Sequence, residues 1–293
     1  MKAVKTIYSV TSTEPSVAPE EIAKERAGMD LFSKVATLPV GVSNEAFEVE
    51  GIPCEWVRPD RSRDRRHIIM YCHGGGYTCG SLKYARILAA KLAFHTGMDV
   101  LSFEYRLAPE NTYPAAKEDA IVVWDYLMRQ GFGAKDIFLA GDSAGGNLAL
   151  ELSLELKAEN RFLPKALILF SPWTDMTATS ETYESRKEQD PMLTREYVEV
   201  VRGAYVGERT DFDSIDFSPL YGDFSEFPPT LIQVGDNEIL LDDSRNLHKR
   251  LIDFGVLSRI EVYDDGWHVF QQMPIPRASK AISSVADFVQ EII

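Results

Sequence analysis

Apolar residues are unevenly spread along this chain. From residue 68 onward, short runs rich in β-branched and aromatic residues at 68–72, 100–105, 137–140, 166–170, 230–234 and 259–263 alternate with longer amphipathic stretches. Each run is strand-length, and most lack the in/out alternation of a half-exposed strand, as expected where both faces are covered. The helical stretches between them are 82–96, 115–129 after Pro114, 144–159, 242–254 and a C-terminal one from about 276 to 292. Strand and helix in alternation predict an α/β fold with a mainly parallel sheet. Upstream, 46–50 and 54–57 flank Gly51-Ile52-Pro53 and read as an antiparallel hairpin at one edge.

Two segments fall outside the alternation. Residues 18–37 read as a helix before the first strand, and 175–225 put far more chain between two strands than a crossover requires. In such sheets ligands bind beyond the carboxyl ends of the strands, so insertions there are natural lids. No internal repeat is present, and the run Arg61-Ser62-Arg63-Asp64-Arg65-Arg66 reads as a solvated turn rather than a basic binding site.

Composition narrows the class. The chain has 293 residues, 45% apolar and 26% charged, which suits one large globular core and excludes a disordered or disulfide-scaffold protein. Its 31 basic against 45 acidic residues give a net charge of −14, which would repel nucleic-acid phosphates. Cys54, Cys72 and Cys79 are an odd number and read as reduced, hence a cytoplasmic location. The N-terminal stretch is too polar for a signal peptide, and no window approaches the ~20 apolar residues of a membrane span.

The candidate chemistry sits at the ends of predicted strands. Gly141-Asp142-Ser143-Ala144-Gly145 follows a buried strand and opens a helix, the context that makes G-x-S-x-G a nucleophile turn. Its glycines leave room for strand and helix to approach, and the helix N-terminus aims free N–H groups, Ala144 first, at a developing oxyanion. His73-Gly74-Gly75-Gly76-Tyr77 directly follows another strand. Three consecutive glycines cost backbone entropy and are tolerated where a ligand must approach bare N–H groups, as a second oxyanion donor requires. Neither glycine loop supplies the Gly-Lys-Ser/Thr of a P-loop, and Cys79 stands where a dinucleotide motif would need its third glycine.

A serine nucleophile needs a base, and the base an orienting carboxylate. Of His67, His73, His95, His248 and His268, the last lies in a Gly-containing loop just after the final strand, at the same sheet end as Ser143. His95 and His248 sit inside helical stretches, and His73 reads as an architectural hydrogen-bonder. For the acid, the loop after 230–234 offers Asp236 and Glu238, while Asp242 and Asp243 look like helix caps. Spacing does not separate the first two.

These motifs, with Tyr105-Arg106-Leu107-Ala108-Pro109-Glu110, the extension of the serine motif to Asn147, Ser171-Pro172-Trp173-Thr174-Asp175 and Trp267-His268-Val269-Phe270, resemble the hormone-sensitive-lipase-like carboxylesterases of the α/β-hydrolase fold. Within that branch the chain looks most like the heroin-esterase and monoterpene ε-lactone hydrolase group, from about residue 40 to the C-terminus. The resemblance implies a single domain over 1–293, with a central sheet of about eight strands flanked by helices and a small helical cap formed from about 1–40 and 175–225. The family's acid motif falls in register on Glu238 to Asp242, thirty residues before His268, which makes Glu238 the implied acid, with glutamate replacing the commoner aspartate. Its oxyanion donors carry over as Gly75, Gly76 and Ala144.

The implied function is a serine esterase that hydrolyses short-chain acyl esters through an acyl-enzyme, on a small-molecule substrate, with no metal or organic cofactor. Leu31, Phe32, Trp173, Tyr183, Met192 and Leu193 are candidates to line the cap. A lactonase or amidase using the same triad is the alternative, and a catalytically silent ligand-binding member of the fold is a third that His268 speaks against. Relatives imply a homodimer through the edge strand near 259–263. Because the base must be neutral, activity should rise as pH passes the imidazole pKa, ordinarily ~6.5.

Overall fold

The computed structural model describes residues 15–35, 39–61, 64 and 66–293. Its strands are β1 (Val42–Val49), β2 (Ile52–Pro59), β3 (Ile68–Cys72), β4 (Asp99–Phe103), β5 (Ile137–Asp142), β6 (Ala166–Phe170), β7 (Thr230–Gly235) and β8 (Ser258–Tyr263). They form one sheet in the order β1-β2-β4-β3-β5-β6-β7-β8. β1, β2 and β4 pair antiparallel, and from β4 to β8 every pair is parallel. The helices are α1 (Pro19–Val35), α2 (Leu82–Thr96), α3 (Ala115–Arg129), α4 (Ala144–Ala158), α5 (Thr182–Ser185), α6 (Arg195–Val206), α7 (Leu241–Asp253) and α8 (Pro276–Ile292).

The unbroken apolar runs follow from layering. Along β3, Ile68, Met70 and Cys72 join the core shared with α3, α4 and α7, whereas Ile69 and Tyr71 join the one shared with α2 and α8. β5 divides the same way between Ile137 and Leu139 on one side and Phe138 and Ala140 on the other. Both faces are therefore dry, and each large apolar side chain buried there contributes about 1.5–3 kcal/mol. Ser81 caps α2 by accepting from Tyr84 N–H at 3.3 Å, and Gly97 ends it in the left-handed region.

The boundaries differ from the sequence expectation in three places. The hairpin turn is Glu50-Gly51, both at positive φ, so β1 and β2 run longer on either side than 46–50 and 54–57. β4 stops at Phe103: Glu104 N–H makes one last bond to Pro53 O on β2, and the Tyr105 ring stacks on His73. Asp242 and Asp243 do not cap α7, which has no side-chain cap. Lying inside its first turn, they are free to serve a neighbouring loop. Asp243 accepts from Thr174 and Asp175 N–H, and Asp242 from Thr182 N–H.

The two insertions meet the carboxyl ends of the parallel strands. Arg26 on α1 donates to Thr78 O and Ala108 O and pairs with both oxygens of Glu110. In the 175–225 segment, Val201 on α6 packs where a Cβ at Gly76 would stand, and Tyr205 stacks on Tyr77 with ring centroids 3.6 Å apart. Residues 1–14 and 36–38 of the expected cap, the side chain of Phe32, and Ser62, Arg63 and Arg65 of the basic run lie outside the described residues. Arg66 pairs with Asp136 at the surface.

Candidate active site

Ser143 stands between β5 and α4 at φ 54°, ψ −120°, a conformation an L-residue adopts only where its surroundings hold it. What holds it is close backbone contact. A Cβ on Gly145 would sit 2.1 Å from Cys72 O, and one on Gly141 would sit 2.2 Å from Gly145 O. Only glycine fits at either place, so the two motif glycines let β3, β5 and the start of α4 converge beneath the serine. Ser143 N–H donates to Phe170 O at 2.9 Å, and its carbonyl accepts from Gly146, Asn147 and Trp173.

The glycine loop lies alongside. Asp142, next to the serine, accepts from Gly74 N–H at 2.8 Å, from Tyr84 Oη at 2.7 Å and from Tyr71 Oη. Burial pushes the Asp142 carboxyl above its usual range against those donors. Gly75 and Gly76 have φ +118° and +61°, and the N–H groups of Gly75, Gly76 and Ala144 find no acceptor among the described residues. His73 is architectural as expected. Its Nδ1 meets Gly74 O at 2.8 Å, its ring stacks on Tyr105 at 4.2 Å, and burial takes its pKa down to about 4.

Glu238 and His268 complete the cluster. His268 Nε2 is 2.9 Å from Ser143 Oγ, and its Nδ1 is 2.8 Å from Glu238 Oε2. His67 bonds Asp64 and His248 bonds Ser258, so neither competes. Glu238 Oε1 accepts from Gly235 N–H at 2.6 Å and Ser171 Oγ at 2.8 Å. Both residues are buried. Burial disfavours the imidazolium, yet the hydrogen bond and charge of Glu238, with the charges of Asp190 and Asp142, hold the His268 pKa above its ordinary value. Asp236 is only half-buried, and its Oδ1 bonds nothing among the described residues.

Several supporting residues carried no signal of their own. Ser171, at φ 45°, also accepts from Val269 N–H at 3.2 Å, tying the acid loop to the histidine loop. A Cβ on Gly235 would lie 2.3 Å from the Gly266 carbonyl carbon, so those loops touch backbone to backbone. Lys91 on α2 donates to Gln271 O and Met273 O just past the histidine, and burial brings its pKa down to about 8. Asn147, at the end of the serine motif, accepts from Tyr77 Oη and donates to Trp173 O and Phe217 O. Of the cap candidates, Trp173 and Tyr183 are buried, Met192 and Leu193 half-buried and Leu31 exposed.

A half-buried serine in line with a buried histidine and carboxylate, at the carboxyl ends of the parallel strands, defines a serine hydrolase of the α/β-hydrolase type. The chain belongs to that family: residues 69–272 match the model of the alpha/beta hydrolase fold. It is a carboxylic-ester hydrolase of the hormone-sensitive-lipase-like branch. It is 33% identical over 284 residues to an esterase of Acinetobacter venetianus, covering 96% of this chain and 92% of that protein. It is also 33% identical over 276 residues to an acetyl-hydrolase of Streptomyces hygroscopicus, covering 94% and 90%. Its structure matches the crystal structure of an esterase from the bacterial hormone-sensitive lipase family with a TM-score of 0.92 and 33% identity, covering 100% and 97% of the two chains.

Proposed function

We propose that this chain hydrolyses short-chain acyl esters, with Ser143, His268 and Glu238 as its triad and the N–H groups of Gly75, Gly76 and Ala144 as its oxyanion hole. The observation that carries this is the continuous line from Ser143 Oγ through the imidazole to Glu238. Oγ attacks the ester carbonyl as Nε2 takes its proton. Glu238 accepts from Nδ1–H, which fixes the tautomer that leaves Nε2 free, and stabilises the imidazolium that results. The same Nε2–H protonates the departing alcohol. Water, deprotonated by His268, then cleaves the acyl-enzyme and restores Ser143.

Short acyl groups fit the cover over the glycine loop. The two insertions act as a cap on a single domain. Val201 comes within 3.2 Å of a Cβ position at Gly76, and Trp173, just before the second insertion, and Tyr183, within it, are buried. An acetyl-hydrolase among the relatives points the same way. Across a p-nitrophenyl ester panel, kcat/KM for acetate and butyrate should exceed that for palmitate by on the order of 10-fold to 100-fold. A preference for palmitate would sink the short-chain assignment.

We further infer a homodimer through β8 and a cytoplasmic location. β8 is one of the sheet's two edge strands, with Val262 exposed on it and Leu257 exposed just before it, and Cys54, Cys72 and Cys79 are buried free thiols, suited to a reducing compartment. Among the described residues, no helix is long and apolar enough to cross a membrane. One experiment tests both inferences. After cell fractionation, activity should stay with the cytoplasmic fraction and elute at the mass of two chains, and a monomer or an exported activity would overturn the corresponding inference.

A further inference from the structure

We propose that Asp190, in the insertion between β6 and β7, is a positioning residue for the Glu238–His268 pair: it holds the backbone beside Glu238 and supplies negative charge to His268. The insertion then helps to prepare the triad as well as cover it. The proposal rests on the catalytic reading above.

The contacts converge on Ile239, the residue after Glu238. Its N–H donates to Asp190 Oδ2 at 2.9 Å, and its carbonyl accepts from Thr182 Oγ1 at 2.8 Å. Both backbone groups next to the buried acid are therefore held by side chains of the insertion rather than by the α/β core. Asp190 Oδ1 meanwhile accepts from Met192 and Leu193 N–H at 2.8 and 2.9 Å, which ties it to the turn that leads into α6. Three N–H donors on two oxygens require a carboxylate. An amide would turn its NH₂ toward at least one of them.

Charge gives the second argument. Asp190 is only 7% exposed, and among the described residues no Lys or Arg side chain bonds it. A buried carboxylate is costly without a countercharge, and the positive charge that offsets part of this cost is that of the His268 imidazolium, acting through space. Glu238 and Ser143 bond the two ring nitrogens, and the carboxylate charges that act on the ring are those of Glu238 from the acid loop, Asp190 from the insertion and Asp142 beside the nucleophile. Asp242, on α7, is engaged by Arg245 and Thr182. Burial raises the Asp190 carboxyl to about 6, opposed by its backbone donors and by His268.

The test compares Asp190→Asn with Thr182→Val in the full chain, measuring kcat and KM for p-nitrophenyl butyrate across pH 5 to 9 together with thermal melts. Activity requires neutral His268, and loss of the Asp190 charge lowers the imidazole pKa. The rising limb of Asp190→Asn should therefore move to lower pH by roughly half a unit. Its plateau kcat should fall roughly 10-fold, with KM changing far less. Thr182→Val keeps the charge and should lose kcat without moving the limb. A lowered melting temperature in Asp190→Asn with an unmoved limb would reduce the residue to a structural role and overturn the proposal.

If Asp190→Asn fails to fold, the wild-type chain with ¹⁵N-labelled histidine decides. The His268 ring signal should show a second inflection near pH 6, and a one-proton curve would refute the coupling. That readout does not depend on turnover. An inactive wild type with a biphasic His268 titration would sink the esterase assignment alone.

Discussion

Replacing Ser143 with alanine is expected to lower kcat/KM for p-nitrophenyl butyrate by on the order of 10⁴-fold or more, about 5.4 kcal/mol of transition-state stabilisation. The burst of p-nitrophenol should vanish with it. Stability should barely change, because the bonds that fix this turn are made by backbone groups: Ser143 N–H to Phe170 O, and its carbonyl to Gly146, Asn147 and Trp173. Alanine has the same Cβ at the same strained φ, so only Oγ and its contact with His268 Nε2 are lost. A residual rate within tenfold of wild type, from a chain with unchanged melting temperature, would remove Ser143 from the mechanism.

The parts of this site visible in the sequence are those where chemistry and backbone geometry demand the same residue. Gly141 and Gly145 flank Ser143 because any side chain there would strike backbone about 2 Å away, so the motif is legible as a motif. His268 was legible from position alone, since a loop after the last parallel strand must lie at the nucleophile's end of the sheet. The inner strands β3, β5, β6 and β7 are legible because both their faces are dry, which leaves continuous apolar runs without alternation.

What escaped was set by contacts between segments distant in sequence. Asp243 looks like a helix cap because acidic residues at a helix start usually are, but its Oδ2 accepts from both Thr174 and Asp175 N–H, nearly seventy residues earlier. Ser171 opens the run Ser171-Pro172-Trp173-Thr174-Asp175, in which nothing local shows that its hydroxyl joins Glu238 to Val269. β4 ends before Tyr105, whose ring stacks on His73, a contact that no propensity encodes. The acid showed the limit most clearly. Asp236 and Glu238 are alike in type and two positions apart, so separating them took a family register, and the structure sets the His268 contact on Glu238.

That choice gives the second large effect. Glu238→Gln should reduce kcat by roughly 10³-fold to 10⁴-fold, whereas Asp236→Asn should stay within about threefold of wild type. Gly235 N–H and the Ser171 hydroxyl both donate to Oε1, so the glutamine oxygen must occupy that side and its NH₂ must face His268 Nδ1. A donor there forces Nδ1 to accept. The ring proton moves to Nε2 and points at Ser143 Oγ, leaving no base in contact with the nucleophile. The lost carboxylate also removes the largest influence holding the His268 pKa up against burial, so the small remaining activity should begin its rise at lower pH than wild type. Asp236 touches neither ring nitrogen, and its amide variant should follow the wild-type pH profile. Equal losses in the two variants, or a Glu238→Gln profile rising at higher pH, would mean that the imidazole is oriented by some group other than Glu238.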